Sequence, residues 1–281
     1  MKTLTQLPEK ELKEFDPEAK IGLIASVSPE GLPHITMISS IRAKSPTQLM
    51  WGQFTAGMSK KNVQQNPKVG WLVLTMDKKL YRGKATWTHL AKSGEDFNLY
   101  NNTPMFRYNA YFGINTVHYM DLVETYGREK LPMAKIVLSS ILTSAVRSGA
   151  KRGGNGRIMK PWAEGVFNSM GALKFISYIG PDGYPVVAPL LQCQAPDSRS
   201  LVFTTGAYKQ DLMELRPGQK AAVFGLTMEM EDVLVRGDFA GYGRTRGIQT
   251  GRIDIDYVYN SMPPKQGQIY PMPELRPVVN F

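Results

Sequence analysis

The sequence predicts a mainly β protein with a helical insert, in which two antiparallel β-barrels follow one another on a single chain of 281 residues. Three observations predict it. The stretch from Ile21 to Trp87 occurs twice: Ile21-Gly-Leu-Ile-Ala-Ser-Val-Ser-Pro-Glu-Gly-Leu-Pro33 is answered by Leu173-Lys-Phe-Ile-Ser-Tyr-Ile-Gly-Pro-Asp-Gly-Tyr-Pro185, with Pro29, Gly31 and Pro33 meeting Pro181, Gly183 and Pro185 at a constant offset of 152. Each copy is cut into short apolar, β-branched runs by proline and glycine turns. The segment between the copies has no later counterpart and carries a helical pattern. Two copies of a long unit mean a duplicated domain; a solenoid needs three or more. The expected boundaries are residues 1–90 for the first barrel, 91–171 for a helical insert and linker, and 172–281 for the second barrel with a proline-rich tail.

Residues 1–20 read as a short helical lead-in with apolar positions too sparse for a deep contact. Ile21–Val27 and Pro33–Ile41 form a hairpin around Ser28-Pro-Glu-Gly31, where Gly31 supplies the positive φ of the turn. Leu49–Phe54 is a third strand, Val69–Met76 a fourth that is almost wholly apolar, and Tyr81–Thr88 a fifth. Between the third and fourth, Ser59 is suited to cap a helix over Lys60–Gln65 that Pro67 stops. Five short strands around one small helix read as a compact antiparallel barrel. Further matches align Phe54-Thr55 with Phe203-Thr204, Leu74-Thr75-Met76 with Leu226-Thr227-Met228, and Arg82-Gly83 with Arg236-Gly237, at offsets of 149, 152 and 154.

Residues 90–170 read as helical. One helix is expected from Asn115 or Thr116 to Tyr126. A second starts at Pro132 and packs through Ala134, Val137, Leu138, Ile141, Leu142, Ala145 and Val146, which recur at i, i+3, i+4, i+7 spacing. Lys151-Arg-Gly-Gly-Asn-Gly-Arg157 reads as a solvated linker, since it lacks the residue order of a Walker A loop. The second barrel is expected over Ala172–Tyr242. The tail from Gly243 holds Arg244, Arg246 and Arg252, then Pro263, Pro264, Pro271, Pro273 and Pro277, and is expected to wrap a neighbouring surface.

Lysine and arginine outnumber aspartate and glutamate by 34 to 24, which favours an anionic partner. No helix-turn-helix, zinc-finger or RNP signature accompanies that charge, so nucleic acid is not the expected partner. No apolar run is long enough to cross a membrane and the N-terminal residues lack a signal-peptide core. The one cysteine, Cys193, fits a reducing cytoplasm and reads as a buried small apolar group.

Catalytic constellations are missing. His34, His89 and His118 are far apart in sequence and show no ligand spacing, so no metal site is expected. There is no nucleophile elbow and no Cys-x-x-Cys pair. Gly241-Tyr-Gly-Arg-Thr-Arg-Gly247 approaches a dinucleotide fingerprint, but its last glycine is one residue late and no parallel βαβ unit surrounds it. A chain of this size without a catalytic set is either non-enzymatic or leaves the chemistry to a cofactor. The one local site with a physical rationale is Ser59-Lys60-Lys61 at a helix start after Gly57, where free N–H groups, a hydroxyl and two ammonium groups suit a phosphate; the alternative is a capped helix with surface lysines.

The order of elements resembles the pyridoxamine 5′-phosphate oxidase-like, FMN-binding split-barrel family. The residues that carry the likeness are Ala25-Ser-Val-Ser-Pro-Glu-Gly-Leu-Pro33, Thr36-Met-Ile-Ser39, Leu49-Met-Trp-Gly-Gln-Phe54, Ser59-Lys-Lys-Asn-Val63, Asn66-Pro67 and Arg82-Gly-Lys-Ala-Thr86. It covers the first barrel, and the second more weakly through the repeat. The resemblance implies two tandem antiparallel split β-barrels forming an internal pseudo-dimer, with FMN in a groove between barrels. It implies Ser59, Lys60 and Lys61 at the phosphate; Ile38 and Ser39 at the ring and ribityl chain, with backbone groups serving the flavin's polar edge; and Gln53, Phe54 and Thr55 beside them. Trp87 and Trp51 are aromatic neighbours that either stack on the ring or belong to the core.

The aligned second copy places Ala207-Tyr-Lys-Gln-Asp211 opposite Ser59–Asn62, which leaves one lysine and adds a carboxylate, so one functional groove is expected. The chain also lacks the Trp-x-x-x-Arg-Leu-x-Pro type of ending. The leading expectation is a cytoplasmic FMN-dependent oxidoreductase, by analogy a homodimer, acting on a small-molecule substrate. No residue stands out as acid or base; Tyr208, His34 and Arg107 are the candidates, and Arg107-Tyr108 with Tyr111-Phe112 would cap the groove. The alternative is a non-catalytic binding protein for flavin, haem or F420, and a further one an interaction or nucleic-acid-binding protein.

Overall fold

The structure is a computed structural model that describes residues 3–54, 57–103, 113–260 and 267–271. Its elements in chain order are α1 (Glu9–Leu12), β1 (Lys20–Val27), β2 (Pro33–Met37), β3 (Arg42–Ser45), β4 (Gln48–Gln53), α2 (Met58–Gln65), β5 (Lys68–Thr75), β6 (Lys79–Ala91), α3 (Glu95–Asn102), β7 (Thr116–Thr125), β8 (Glu129–Lys130), α4 (Met133–Val146), α5 (Pro161–Asn168), β9 (Leu173–Ile179), β10 (Pro185–Pro189), β11 (Gln194–Asp197), β12 (Ser200–Thr204), α6 (Lys209–Met213), β13 (Lys220–Leu226), β14 (Asp232–Thr245), β15 (Ile248–Asn260) and β16 (Gly267–Tyr270). One sheet runs β2-β1-β5-β6-β7-β4-β3 with β8 on β6, and the other runs β10-β9-β13-β14-β15-β12-β11 with β16 on β15. These are the same topology twice: two tandem split-barrel-like domains. The chain divides into two units, Met1–Pro132 with Ser177–Ala188, and Met133–Ile176 with Pro189–Phe281.

The hairpin turns form as the sequence requires, with Gly31 at φ 76° and Gly183 at φ 80°. In the first unit the core gathers Ile24, Trp51, Trp71, Tyr81 and Met120. Leu7 and Phe15 are buried with them, so the lead-in makes the deep contact that its sparse apolar pattern did not suggest. Phe15 does so through aromatic contacts, 5.1 Å from Tyr81 and 6.1 Å from Trp71.

Three expectations are corrected. Residues 116–126 are not a helix; Thr116–Thr125 is β7, central in the first sheet between β6 and β4. Its first half is buried on both faces, which erases the alternation that marks a strand. Residues 243–260 are not a tail; they complete β14 and form β15, which pairs with β12 through Thr204↔Thr250 and Phe203↔Gly251, while Pro263, Pro264, Pro273 and Pro277 lie outside the described residues.

The third correction concerns α4. The helix forms where its periodicity places it, but it turns the other way: Ile136, Ser139, Ser140, Thr143 and Val146 are buried, while Val137, Leu138 and Ile141 are exposed. The covered face holds through polar groups. Thr143 Oγ1 donates to Ser139 O at 2.8 Å and accepts from Thr204 N at 3.2 Å, Thr204 Oγ1 donates to Ser139 O at 2.9 Å, and Gln194 Nε2 donates to Ser144 Oγ at 2.6 Å. A hydroxyl that finds its partner is a stable core residue, and a period argument that counts only carbon misses it.

Candidate functional site

Helix α2 lies on β1 and β2 through Ser59, Asn62 and Val63, the positions i, i+3 and i+4 that face the sheet. The expected cap is moved: Gly57 stands at the N-cap with φ −148° and ψ 175°, and no side chain among the described residues caps the helix. Ser59 is instead fully buried. Its Oγ lies 2.6 Å from Thr36 Oγ1 and accepts from Ser26 Oγ at 3.5 Å, and Asn62 Nδ2 donates to Ser26 Oγ at 3.0 Å. The Ser59 hydroxyl therefore fastens α2 to the sheet and does not face outward to a phosphate.

Lys60, next along the helix, is half-buried, and its ammonium has no hydrogen bond or ion pair among the described residues. Burial lowers its pKa from 10.5 to about 8. Lys61 is exposed.

Beside Lys60, three strands bring together Gln53, His118 and Trp87. Trp51 on β4 is directly opposite His118 on β7, which puts Gln53 diagonally across on the same face. Trp87 on β6 is opposite Met120 and so stands diagonally on the other side of His118. The His118 ring stacks on buried Trp51 with centroids 3.9 Å apart and planes at 3°. Trp87 Nε1 donates to His118 Nδ1 at 3.1 Å, and His118 Nε2 meets Gln53 Oε1 at 2.7 Å. Burial first, and the Lys60 charge second, hold the His118 pKa down at about 3. Gln53 and Gln64, with Leu90, Lys92, Asn115 and Thr116, line a cleft of about 350 Å³ in the first unit, within the range of small-molecule sites.

The other expected residues divide. Ile38 is buried in the core, follows the end of β2, and commits its N–H to Gly22 O at 2.7 Å, so it offers no backbone donor to a flavin edge. Ser39 is half-buried in the turn that follows. Phe54 packs against the cluster of Met50, Tyr100, Ile114, Val117 and Tyr119, and its carbonyl accepts from Asn115 Nδ2 at 3.1 Å. Thr55 lies outside the described residues, as do Arg107, Tyr108, Tyr111 and Phe112. Trp51 is core and Trp87 is half-buried. His89 is exposed and stacks on Tyr119, while His118 spends both ring nitrogens inside the protein. Cys193 is buried, with its pKa pushed up to about 12 by burial. No group of three or more His, Cys, Asp or Glu suited to a metal ion occurs among the described residues.

The structure also corrects the alignment of the two copies. Ile38 N→Gly22 O is matched by Leu190 N→Lys174 O, Ser40 Oγ→Gly52 O by Gln192 Nε2→Thr204 O, and the positive φ at Lys78 by that at Met230, always 152 residues on. Thr205 therefore answers Gln53 and Phe203 answers Trp51, replacing the offset of 149. Asp211 answers Ser59, and buried Leu212 answers Lys60. Gly251, opposite Phe203, stands where His118 does, and Phe239, opposite Ile253, stands where Trp87 does. A Cβ on Gly251 would meet the Phe203 ring at 2.5 Å, so no imidazole fits there. The second copy keeps the fold and none of the polar set.

No protein-family model matches the chain, and no curated protein matches it. Among solved structures, the chain is similar to a candidate pyridoxamine 5′-phosphate oxidase from Lactobacillus delbrueckii at 19% identity, covering 45% of this chain and 99% of that one with a TM-score of 0.36. It is also similar to an FMN-binding protein from Syntrophomonas wolfei at 16% identity, 43% and 83% coverage and a TM-score of 0.35. A third is the general stress protein 26 of Bacillus anthracis, at 13% identity, 43% and 97% coverage and a TM-score of 0.32. Each likeness covers about half of the chain. No helix among the described residues is long and apolar enough to cross a membrane.

Proposed function

We propose that the first unit binds FMN and that the chain is an FMN-dependent oxidoreductase acting on a small substrate. The observation that carries this reading is the Lys60 ammonium, half-buried with no counter-ion among the described residues, beside Gln53 and His118. A desolvated cation without a partner is unfavourable in the free protein and becomes favourable when an anion arrives. A phosphate ester meets that need, and the Gln53 amide and the backbone N–H groups at the uncapped start of α2 add donors beside it. This cluster of Lys60, Gln53, His118 and Trp87 contains no carboxylate, and both His118 nitrogens are engaged within the protein, which suits a site that binds and orients while a cofactor supplies the redox chemistry. A flavin held there would supply hydride or electron exchange with the substrate. The protein's part is to hold the anion at Lys60, to offer Gln53 as a donor, and to keep His118 neutral so that no second positive charge opposes Lys60.

The test is a titration of the purified chain with FMN, riboflavin and F420, followed by flavin fluorescence and by absorbance. The expected result is saturable FMN binding that Lys60→Ala abolishes while riboflavin binding changes little. An FMN affinity indifferent to Lys60→Ala would remove Lys60 from the phosphate site, and tighter binding of F420 than of FMN would change the cofactor.

A further inference from the structure

We infer that Trp87 and His118 are positioning residues that lock the Gln53 side-chain amide with its NH2 group toward the cleft, so that this cleft selects a ligand oxygen that accepts a hydrogen bond. The inference rests on the anion-binding reading at Lys60, beside Gln53, and names what the ligand must present to the cleft that Gln53 lines.

One member of this line of hydrogen bonds has a chemically fixed role, because an indole N–H can only donate. Trp87 Nε1 lies 3.1 Å from His118 Nδ1, so Nδ1 carries a lone pair, and a neutral imidazole must then carry its hydrogen on Nε2. That N–H points at Gln53 at 2.7 Å, so the glutamine turns its oxygen inward. Both hydrogens of its amide remain for the cleft that Gln53 lines. Reversing the amide would oppose two donors across 2.7 Å.

The imidazole cannot relieve the conflict by turning, because it is stacked on Trp51 at 3.9 Å within a buried setting. The relay crosses β6, β7 and β4, with partners 31 and 65 residues apart. Among the described residues nothing comparable survives in the second copy, where Phe239, Gly251 and Thr205 hold the corresponding places.

The acceptor is an oxygen of the FMN phosphate or a ring carbonyl, and comparing FMN with riboflavin separates the two. Dissociation constants are measured on the full chain for Gln53→Glu, His118→Phe and His118→Gln. Gln53→Glu still accepts from His118 but shows the cleft an oxygen, and should weaken binding more than tenfold. His118→Phe keeps the stack on Trp51 and frees the amide, and should weaken binding about tenfold. His118→Gln restores a donor to Gln53 and should recover most of that loss. A loss confined to FMN identifies the phosphate; an equal loss for riboflavin identifies the ring.

The relay is overturned if Gln53→Glu and His118→Phe bind both flavins as the wild type does while Lys60→Ala still abolishes FMN binding. It is also overturned if ¹⁵N chemical shifts of the ligand-free protein show His118 protonated on Nδ1. That spectrum is independent of flavin, so if the wild type binds no FMN, the functional reading fails by itself and the spectrum still decides the relay.

Discussion

Replacing Lys60 by methionine should make the ligand-free protein more stable and its FMN binding much weaker. Methionine keeps most of the apolar stem and removes the charge. Moving a lysine pKa from 10.5 to about 8 corresponds to about 3 kcal/mol at 1.36 kcal/mol per pH unit. Solvent screening at this half-buried position reduces the expected gain to roughly 1–3 kcal/mol. The sign follows from proton counting. Between about pH 8 and 10.5 the unfolded chain holds a proton on Lys60 that the folded chain has released, so wild-type stability rises with pH through that window and the penalty is full below it. The variant lacks that rise. Lys20 and Lys174 are lowered to about 8 by burial as well, so the quantity to read is the difference between the wild-type and variant profiles.

The assay is urea denaturation of both proteins from pH 7 to 10.5, with FMN titrations at pH 7 and 9.5. FMN affinity should fall above about pH 8 in the wild type, as the free ammonium loses its proton, and be low and flat in the variant. A ligand-free Lys60→Met protein that is less stable than wild type at pH 7 would refute this account of Lys60, since it would mean that the ammonium is compensated in the fold.

Four further outcomes follow from the same structure. His118 is held at about 3 against an ordinary 6.5, so its unfolded form takes a proton that the folded form refuses and stability falls as pH drops below about 6.5; His118→Phe should flatten that limb by up to about 1.4 kcal/mol per pH unit, measured by denaturation from pH 7 to 4. Equilibrium dialysis should give one FMN per chain, because Leu212, Gly251 and Thr205 stand where the first unit has Lys60, His118 and Gln53; two would contradict the register. Glu129→Ala should cost about 3 kcal/mol in urea denaturation, because it removes the carboxylate that the buried Arg82 guanidinium donates to at 2.8 and 3.1 Å. On α4, Leu138→Ser should change stability by less than about 0.5 kcal/mol while Thr143→Val costs about 1–3 kcal/mol, the reverse of what the apolar period alone implies.

Much of the fold was legible. The repeated Pro-x-Gly-x-Pro turns mark both leading hairpins, and Val69–Met76 reads as an interior strand because an almost wholly apolar run of that length suits a strand covered on both faces. The sequence of β7 does not mark it as a strand, because its buried half has no alternation, although its counterpart Arg252-Ile-Asp-Ile-Asp-Tyr-Val-Tyr-Asn260 alternates openly and lies in the other copy. At the site, Lys60 is legible as a cation at a helix start and Gln53 only through resemblance, while the inward place of Ser59 is not legible because a serine at a helix start is chemically the same whether it caps the helix or pins it to a sheet. His118 looked like an isolated histidine. Its significance depends on Trp87 and Gln53, which no local pattern connects to it.

The sequence by itself determined the duplication, the turns, most of the strands and helices α2 and α4, because these follow from backbone preferences and side-chain periods acting over a few residues. Only the tertiary structure decided which face of α4 is covered, how the copies align at 152 residues, and that Trp87, His118 and Gln53 form one line of hydrogen bonds beside a Lys60 without a counter-ion among the described residues. Those outcomes depend on strand register accumulated across a whole sheet, where a slip of one residue turns every side chain to the opposite face. That register is a property of all the pairings together, and no window of sequence contains it.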